Sequence, residues 1–249
     1  MRAHELVTES SGYTLSGSYT PDLVFSKLWL AQELNRIINK QRINSVPVAY
    51  ILGSWYSNLS TILRKTATPI EHIVDVDKNK SWLATGQQIQ KDMGIDGVEY
   101  MPADANKIDY RQLQDPGVVI NTSTNDMLEH NDWFENIPAG TLVVLQGRDQ
   151  VEREFLSPDD LLDLYPLENV LYSGTMELQD PETEYTRSMV IGVKGAEQLD
   201  ELSFLGSQCT KDCSGHRAGY AWSARKGNVH AASRSPSFNK GAALRVLGK

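Results

Sequence analysis

The sequence has 249 residues, of which 40% are hydrophobic and 22% are charged, a composition typical of a soluble globular protein. This length accommodates one sizeable core, or one domain with an appendage. The sequence has no run of about 18 apolar residues and no apolar signal core near Met1, so we expect neither a transmembrane helix nor secretion. With only two cysteines, Cys209 and Cys213, a disulfide-built secreted fold is excluded and a cytoplasmic location is expected.

The net charge of −8 is unevenly distributed along the chain. Residues 207–249 contain eight basic residues and one acidic residue, so this segment carries +7 and the remaining residues carry −15. Such asymmetry indicates separate tasks for the two parts. The basic segment either docks on the acidic part of the chain or binds a polyanion such as a nucleic acid.

The first element predicted from the sequence is a long helix. Residues 1–19 are rich in Ser, Thr and Gly and are expected to form a flexible N-terminus. A helix is predicted over Thr20–Gln41, because Thr20 can cap it, Pro21 suits its first turn and apolar residues recur at helical spacing.

Short apolar runs then alternate with amphipathic stretches. The predicted strands are Val46–Leu52, His72–Val76, Val98–Met101, Val118–Asn121 and Thr141–Gln146. The predicted helices or helical turns are Ser57–Lys65, Ser81–Met93, Tyr110–Leu113, Asn131–Asn136 and Ser157–Tyr165. This alternation predicts βαβ units with a parallel sheet that is covered on both faces.

The alternation ends after Tyr165. Two strand-like runs, Asn169–Leu178 and Tyr185–Lys194, flank a polar turn and predict an antiparallel hairpin. The predicted fold is therefore a Rossmann-like, three-layer αβα sandwich with a mostly parallel seven-stranded sheet that ends in an antiparallel hairpin. We expect this α/β domain to span residues 20–195 and a basic tail containing Cys and His to span residues 196–249.

Polar and small residues follow the ends of the first three predicted strands. Gly53, Ser54 and Trp55 follow the first strand, where a glycine allows a ligand to approach the backbone beside a helix N-terminus. Asp75 and Asp77 lie at the end of the second strand, and Asp104 and Ala105 follow the third. Open α/β sheets bind ligands at this carboxyl edge.

Five βα units, a terminal hairpin and these residues together resemble the class I S-adenosylmethionine-dependent methyltransferases. The resemblance covers residues 20–195 and implies S-adenosylmethionine as the cofactor. It implies that the loop of Gly53, Ser54 and Trp55 cradles the methionine part of the cofactor and that Asp75 binds the ribose hydroxyls. Asp104 and Ala105 would then border the adenine. Asp77 belongs to the same predicted cofactor set, but is expected mainly to cap the next helix.

The same resemblance places acceptor contacts after the fourth and fifth strands. Asn121 ends the fourth strand and would face both the cofactor and the methyl acceptor. Glu129, His130 and Asp132 are the candidates for a general base. Gln146, Arg148 and Asp149 lie at and after the end of the fifth strand and are candidates for substrate contact, where Arg148 can bind a carboxylate or phosphate. The Pro-Pro-aromatic signature of amino-group DNA methylases is absent.

Three functions stay open at this point. The first is a methyltransferase that acts on a small-molecule or macromolecular acceptor of unknown identity. The second is a non-catalytic methyltransferase-like scaffold that serves as a phage structural or nucleic-acid-associated protein, because the first loop has one glycine where the family usually has two or three. The third is transfer of the aminocarboxypropyl group of the same cofactor. The segments at 121–123 and 171–174 resemble methyltransferase-like proteins of bacteria and phages, which would place the chain in the host cytoplasm or in a virion.

The C-terminal segment has chemistry of its own. Its Cys-x3-Cys-x2-His arrangement resembles a module found in phage-encoded proteins. Cys209, Cys213 and His216, with the more distant His230, are potential zinc ligands, but the spacing is not a standard one and two reduced thiols are expected instead. Its basic residues are interleaved with aromatic residues that can stack on single-stranded nucleic acid or anchor the segment to the main domain, namely Tyr220, Trp222 and Phe238.

Overall fold

The computed structural model describes residues 15–113, 116–127, 132–148, 157–180 and 183–196, which all belong to one compact unit. They form one seven-stranded sheet with helices packed on it. The strands are β1 Val46–Leu52, β2 Ile70–Asp77, β3 Val98–Pro102, β4 Val118–Asn121, β5 Leu142–Arg148, β6 Leu167–Gln179 and β7 Glu184–Lys194. The α-helices are α1 Leu15–Ser18, α2 Pro21–Lys40, α3 Asn58–Lys65, α4 Lys80–Asp92, α5 Asp132–Glu135 and α6 Pro158–Leu164. Short 3₁₀ turns occupy Ala105–Lys107, Tyr110–Gln112 and Thr124–Asp126.

The strand order across the sheet is β3-β2-β1-β4-β5-β7-β6. The strands from β1 to β5 pair in parallel, whereas β7 is antiparallel to both β5 and β6. The predicted fold class is confirmed, since the sheet is mostly parallel and ends in an antiparallel hairpin. The chain moves outward in one direction from β1 to β3 and in the other direction from β4, so a topological switch point lies between β1 and β4.

Strand register determines which residues meet at the carboxyl edge. Leu52 of β1 pairs with Val76 of β2 on one side and with Asn121 of β4 on the other. The residues that follow these three positions are therefore brought together at one edge of the sheet, directly at the switch point.

The two faces of the sheet are covered differently. On one face, Trp133, Phe134 and Tyr165 pack with Tyr50, Leu52 and further side chains of β2, β4, β5 and β7 in a single apolar cluster. On the other face, α3 lies over β2, and Ser60 of α3 contacts a buried carboxylate described below. Burial of strand side chains on both faces explains why the central strands are continuous apolar runs.

Polar contacts fasten the long helix α2 to the C-terminal strands. The hydroxyl of Tyr185 on β7 donates to Asp22 (2.7 Å), and the indole of Trp29 donates to the hydroxyl of Tyr172 on β6 (3.2 Å). The two residues of the first pair are 163 positions apart in the sequence, and those of the second pair are 143 positions apart. The helix predicted over Thr20–Gln41 is confirmed, since α2 is only one residue shorter at each end.

The N-terminal prediction requires one correction. Residues 15–18 form the helical turn α1, although they were expected to be flexible. Ser18 is fully buried, and its carbonyl oxygen accepts a hydrogen bond from the side chain of Asn58 (2.6 Å), which holds the turn against α3. Thr20 occupies the N-cap of α2 but makes no side-chain capping hydrogen bond.

Several predictions concern parts of the chain outside the described residues. These parts are Glu129, His130, the loop that follows β5 from residue 149, and the tail from residue 197 with its cysteines, histidines and aromatic residues. The domain boundaries at 19 and 195 therefore stay predictions. Among the described helices, none combines the length and apolar character that crossing a membrane requires.

Candidate functional site

A cavity of about 660 Å³ lies at the carboxyl edge of the sheet, around the switch point. Its walls come from the loops after β1, β2, β3 and β4, from the end of β5, from α2 and from β7. Cavities of this size are typical of small-molecule and cofactor sites, and their position outside the strand ends matches the general rule for open α/β sheets.

The loop between β1 and α3 forms the floor of this cavity. Gly53 has φ +61°, and Trp55 and Ser57 also have positive φ values of 55° and 60°, so the chain turns sharply from strand to helix. A Cβ atom at Gly53 would lie 2.8 Å from the hydroxyl oxygen of Ser123, which follows β4. Glycine is therefore required here for two reasons, the backbone conformation and the close approach of the β4 loop.

Ser54 and Trp55 both line the cavity, as predicted from their place after the first strand. The hydroxyl oxygen of Ser54 is buried and has no hydrogen-bond partner among the described residues. An orphaned buried hydroxyl on a cavity wall is a group that a ligand can satisfy. The indole of Trp55 packs edge-on against that of Trp82 from α4, with ring centroids 6.3 Å apart, and Trp82 also lines the cavity.

Asp77 is the acid of β2 that reaches the cavity. One carboxylate oxygen accepts a hydrogen bond from the backbone N–H of Trp55 (2.9 Å), and the other accepts from the N–H of Asn79 (2.8 Å). Burial raises the pKa of Asp77, while these two N–H groups lower it. A carboxylate has about four acceptor positions, so each oxygen can still accept a hydrogen bond from a ligand.

Capping of α4 differs from the prediction. Asn79, not Asp77, is the N-cap, and its side-chain oxygen accepts from the N–H groups of Ser81 and Trp82. Asp77 instead ends β2 itself, one residue beyond the predicted strand end, so its carboxylate braces the β1–α3 loop.

Asp75 does not line the cavity, although it was predicted to bind a ribose there. It lies on the same face of β2 as Asp77 but two residues farther from the strand end, where α3 covers it. Its side chain is 0% exposed, and one of its oxygens accepts from the hydroxyl of Ser60 (2.6 Å). Burial raises the pKa of Asp75 to about 7 despite this hydrogen bond.

Asp104 and Ala105 lie together on the β3 side of the cavity. Asp104 caps the following 3₁₀ turn by accepting from the N–H of Asn106 (3.1 Å), and the ammonium of Lys78 lies 3.3 Å from its other oxygen. Although partial burial raises the pKa of Asp104, the Asn106 N–H and Lys78 lower it overall. The β2 and β3 side of the cavity thus combines two acids with two indoles.

Asn121 shapes the β4 loop and is not one of the cavity-lining residues of the described chain. Its side-chain oxygen accepts from the N–H of Ser123 (2.9 Å), and its amide donates to the sulfur of Met127 (3.3 Å). The residues that reach the cavity from this loop are Thr122, Ser123, Asp126 and Met127. Asn121 was predicted to face the cofactor and acceptor, but its position at the last residue of a buried strand turns its side chain into the loop.

Asp132, one of the predicted candidates for a general base, is not among the residues that line the cavity. It is the first residue of α5, where it is exposed to solvent, while the next two residues, Trp133 and Phe134, are buried in the apolar cluster. Of the described acids, Asp126 is the one that reaches the cavity beside β4.

The opposite side of the cavity carries positive charge, of which Arg148 was predicted from the sequence and Lys27 and Arg187 were not. Lys27 from α2, Arg148 from β5 and Arg187 from β7 all line it. Lys27 and Arg187 are only 7% and 5% exposed. The sequence signal was present, since Lys27 falls between Val24 and Leu28 in the apolar stripe of α2, where a charged residue is unusual.

Comparison with known proteins places the fold. No protein-family model matches the sequence, and no curated protein matches it. A putative class I S-adenosylmethionine-dependent methyltransferase from Listeria monocytogenes superposes with a TM-score of 0.51 at 14% sequence identity, over 76% of this chain and 64% of that one. The YcgJ protein of Bacillus subtilis superposes with a TM-score of 0.50 at 8% identity, over 66% of this chain and 99% of YcgJ. At these identities the similarity establishes the fold alone.

Proposed function

We propose that this chain is an enzyme that binds S-adenosylmethionine in the cavity at the switch point and transfers its methyl group to an acceptor. The observation that carries the proposal is the placement of Asp77. Its carboxylate ends β2 beside the Gly53 turn, inside a cavity at the carboxyl edge of a methyltransferase-type sheet. The fold alone does not determine function, whereas the residues of this site define the chemistry available to a ligand.

The residues present fit such a cofactor. The turn at Gly53 lets the backbone pass close to Ser123 at the cavity wall, and the orphaned hydroxyl of Ser54 can bind a polar group there. Asp77 can accept hydrogen bonds from two ribose hydroxyls while its backbone partners hold it in place. The indoles of Trp55 and Trp82 provide flat apolar surface on the side where Asp104 and Ala105 can border an adenine.

When bound, the cofactor supplies a methyl group on a positively charged sulfur, which makes the carbon electrophilic. The contribution of the chain is to hold the acceptor in line with that carbon and to exclude water. The β4 loop, through Thr122, Ser123 and Met127, forms the wall nearest to the acceptor side. Where the acceptor loses a proton, Asp126 is the described carboxylate in position to accept it.

The test is titration of the full-length protein with S-adenosylhomocysteine, followed by calorimetry and by the fluorescence of Trp55 and Trp82. We expect saturable binding. Asp77→Asn should weaken it by roughly tenfold or more, because charge-assisted hydrogen bonds become neutral ones while one oxygen still braces the loop. Asp75→Asn is the matched control and should leave the affinity within about threefold.

Two results would contradict this proposal. Absence of binding by the folded wild-type protein would favour the non-catalytic scaffold. Loss of affinity in Asp75→Asn with no change in Asp77→Asn would return the ribose contact to Asp75. The by-product of turnover separates the two transfer reactions, since methyl transfer leaves S-adenosylhomocysteine and aminocarboxypropyl transfer leaves methylthioadenosine.

The acceptor, a phage-type origin, a cytoplasmic location and nucleic-acid binding by residues 207–249 stay predictions from the sequence.

A further inference from the structure

One end of the cavity is formed by two almost completely buried cations. Lys27 projects from α2, and Arg187 projects from β7. The guanidinium of Arg187 donates one hydrogen bond to the carbonyl oxygen of Thr122 (2.8 Å), at the end of β4. This contact places Arg187 directly beside the loop that faces the acceptor side.

No carboxylate of the described chain lies at ion-pair distance from either cation, and Lys27 makes no hydrogen bond to a described residue. The Nε of Arg187 is buried and also has no hydrogen-bond partner among the described residues. Burial lowers the pKa of Lys27 well below its usual value, and the nearby charge of Arg187 lowers it further. Burial likewise lowers the pKa of Arg187 to about 10.

The nearby charged groups in the described part of the chain do not neutralise Lys27 and Arg187. The carboxylate of Asp22 already accepts a hydrogen bond from Tyr185, and Asp126 is exposed at the cavity wall. Arg148 adds a third positive charge to this end, where it lies over the ring of Tyr185 (4.3 Å) and 3.9 Å from Asp180. Asp22 and Asp126 interact with Arg187 only through longer-range electrostatics.

Two adjacent buried cations destabilise a protein unless an anion accompanies them. Such an arrangement persists at functional sites, where a ligand supplies the missing charge. The acids Asp77 and Asp104 lie on the β2 and β3 side of the cavity, so the two sides of the cavity are electrostatically distinct.

We propose that Lys27 and Arg187 form a subsite for a carboxylate or phosphate group, and that this group belongs to the methyl acceptor. The assignment of the anion to the acceptor rests on the proposed function, whereas the anion subsite itself rests on the geometry. The contact between Arg187 and Thr122 places the subsite on the β4 and β7 side, away from the acids and indoles assigned to the nucleoside. The acceptor is therefore a small anionic molecule, or an anionic group presented by a larger one.

The experiment uses the full-length protein saturated with S-adenosylhomocysteine, with phenyl phosphate and benzoate as anionic probes and benzamide as the uncharged match. We expect the two anions, but not benzamide, to bind saturably by calorimetry. Lys27→Met should weaken anion binding at least tenfold and should raise the melting temperature of the ligand-free protein, because it removes an unpaired buried charge. Lys40→Met removes the same charge from the exposed end of the same helix and should change neither quantity.

The possible results decide between the sources of the anion. Anion binding that disappears when S-adenosylhomocysteine is present, together with at least tenfold weaker S-adenosylhomocysteine binding in Lys27→Met, would assign the subsite to the cofactor's own carboxylate and overturn the acceptor assignment. Equal binding of benzamide and benzoate, or a lower melting temperature in Lys27→Met, would overturn the subsite itself. If S-adenosylhomocysteine does not bind, the proposed function fails, and the same probes on the ligand-free protein still test the anion subsite.

Discussion

Asp75 shows what a single carboxyl group contributes when it is placed under a binding loop. Its oxygen accepts from Ser60, which in turn accepts from the side chain of Gln90 on α4 (2.7 Å), and the hydroxyl of Tyr100 donates to Gln90. The chain of contacts links β2, α3, α4 and β3 beneath the cavity. Since burial raises the pKa of Asp75 to about 7, the protein binds a proton there that the unfolded chain releases near pH 3.8.

Replacing Asp75 by Asn should therefore change how stability depends on pH. A carboxyl whose pKa is raised on folding stabilises the fold fully below about pH 4, and this contribution is lost as the pH rises through about 7. The unfolding free energy of Asp75→Asn minus that of the wild type should thus increase between pH 4 and pH 8. Each pKa unit corresponds to about 1.4 kcal/mol, so the change should reach a few kcal/mol. Urea unfolding at several pH values measures it.

Asp109 provides the contrasting control. Its hydrogen bonds with Arg111 lower the pKa of Asp109 to about 2, so its contribution is present above about pH 4 and lost only as the pH falls toward 2. Asp109→Asn should therefore show a flat difference from the wild type between pH 5 and pH 8. A flat difference for Asp75→Asn over the same range would mean that Asp75 is ionised in the folded protein.

At the level of elements, the β1–α3 loop depends on close packing on both sides. Gly53 meets the side chain of Ser123, and Gly86 of α4 lets that helix approach so closely that a Cβ there would lie 2.6 Å from the hydroxyl of Ser57. The loop is thus held between the β4 loop and α4, while Asp77 fixes it from β2. This packing fixes the conformation of the loop through contacts within the protein itself.

Gly53→Ala should separate this close packing from backbone strain. Gly94 has nearly the same φ, +63° against +61°, but a Cβ atom there meets nothing within 4 Å. We expect Gly94→Ala to lower the unfolding free energy by about 1 kcal/mol, the approximate cost of a left-handed alanine. Gly53→Ala should lower it by a further 1–3 kcal/mol, as overpacking does, and should weaken S-adenosylhomocysteine binding at least tenfold. Equal effects of the two substitutions on stability and binding would show that the contact with Ser123 is unimportant.

The helices and strands were predicted well because the sequence patterns that specify them are local. Hydrophobic periodicity located every described strand and the helices α2 to α6, with ends displaced by at most two residues. The displacement mattered once, at β2, which continues to Asp77. Asp75 and Asp77 share one face of the strand, so alternation could not tell which acid emerges from under α3. The answer depends on tertiary packing by Ser60 and its neighbours, which the sequence pattern does not contain.

At the scale of the whole molecule, the described chain is organised around one sheet, whose last strand in the sequence, β7, ends at Lys194. Local patterns do not predict that β7 lies between β5 and β6, or that α2 contacts β5, β6 and β7. The two buried cations of the cavity were missed for the same reason, because Lys27 and Arg187 are separated by 160 residues and meet only through this packing.

A fragment of residues 1–206 should unfold cooperatively and bind S-adenosylhomocysteine like the full chain, since all seven strands are retained. If the basic segment 207–249 binds a nucleic acid, the full-length protein alone should bind single-stranded oligonucleotides, with affinity that falls roughly tenfold or more between about 50 and 200 mM salt. If the segment only docks on the acidic part of the chain, neither protein should bind them. Circular dichroism and fluorescence titration of both proteins measure these outcomes. An aggregated fragment would place the tail within the fold, and equally negligible oligonucleotide binding by both proteins would exclude a nucleic-acid partner for the tail.

The fastening of α2 to the C-terminal strands has a consequence for synthesis of the chain. Asp22 leaves the ribosome 163 residues before its partner Tyr185, and at about 5–20 residues per second this interval is on the order of 10 s. For most of that interval the apolar stripe of α2 lacks the strands that cover it, because β5 emerges late in the interval and β6 and β7 emerge only at its end. The helix α2 is therefore synthesised early but reaches its native environment late, and its apolar stripe is a site for chaperone protection on the nascent polypeptide.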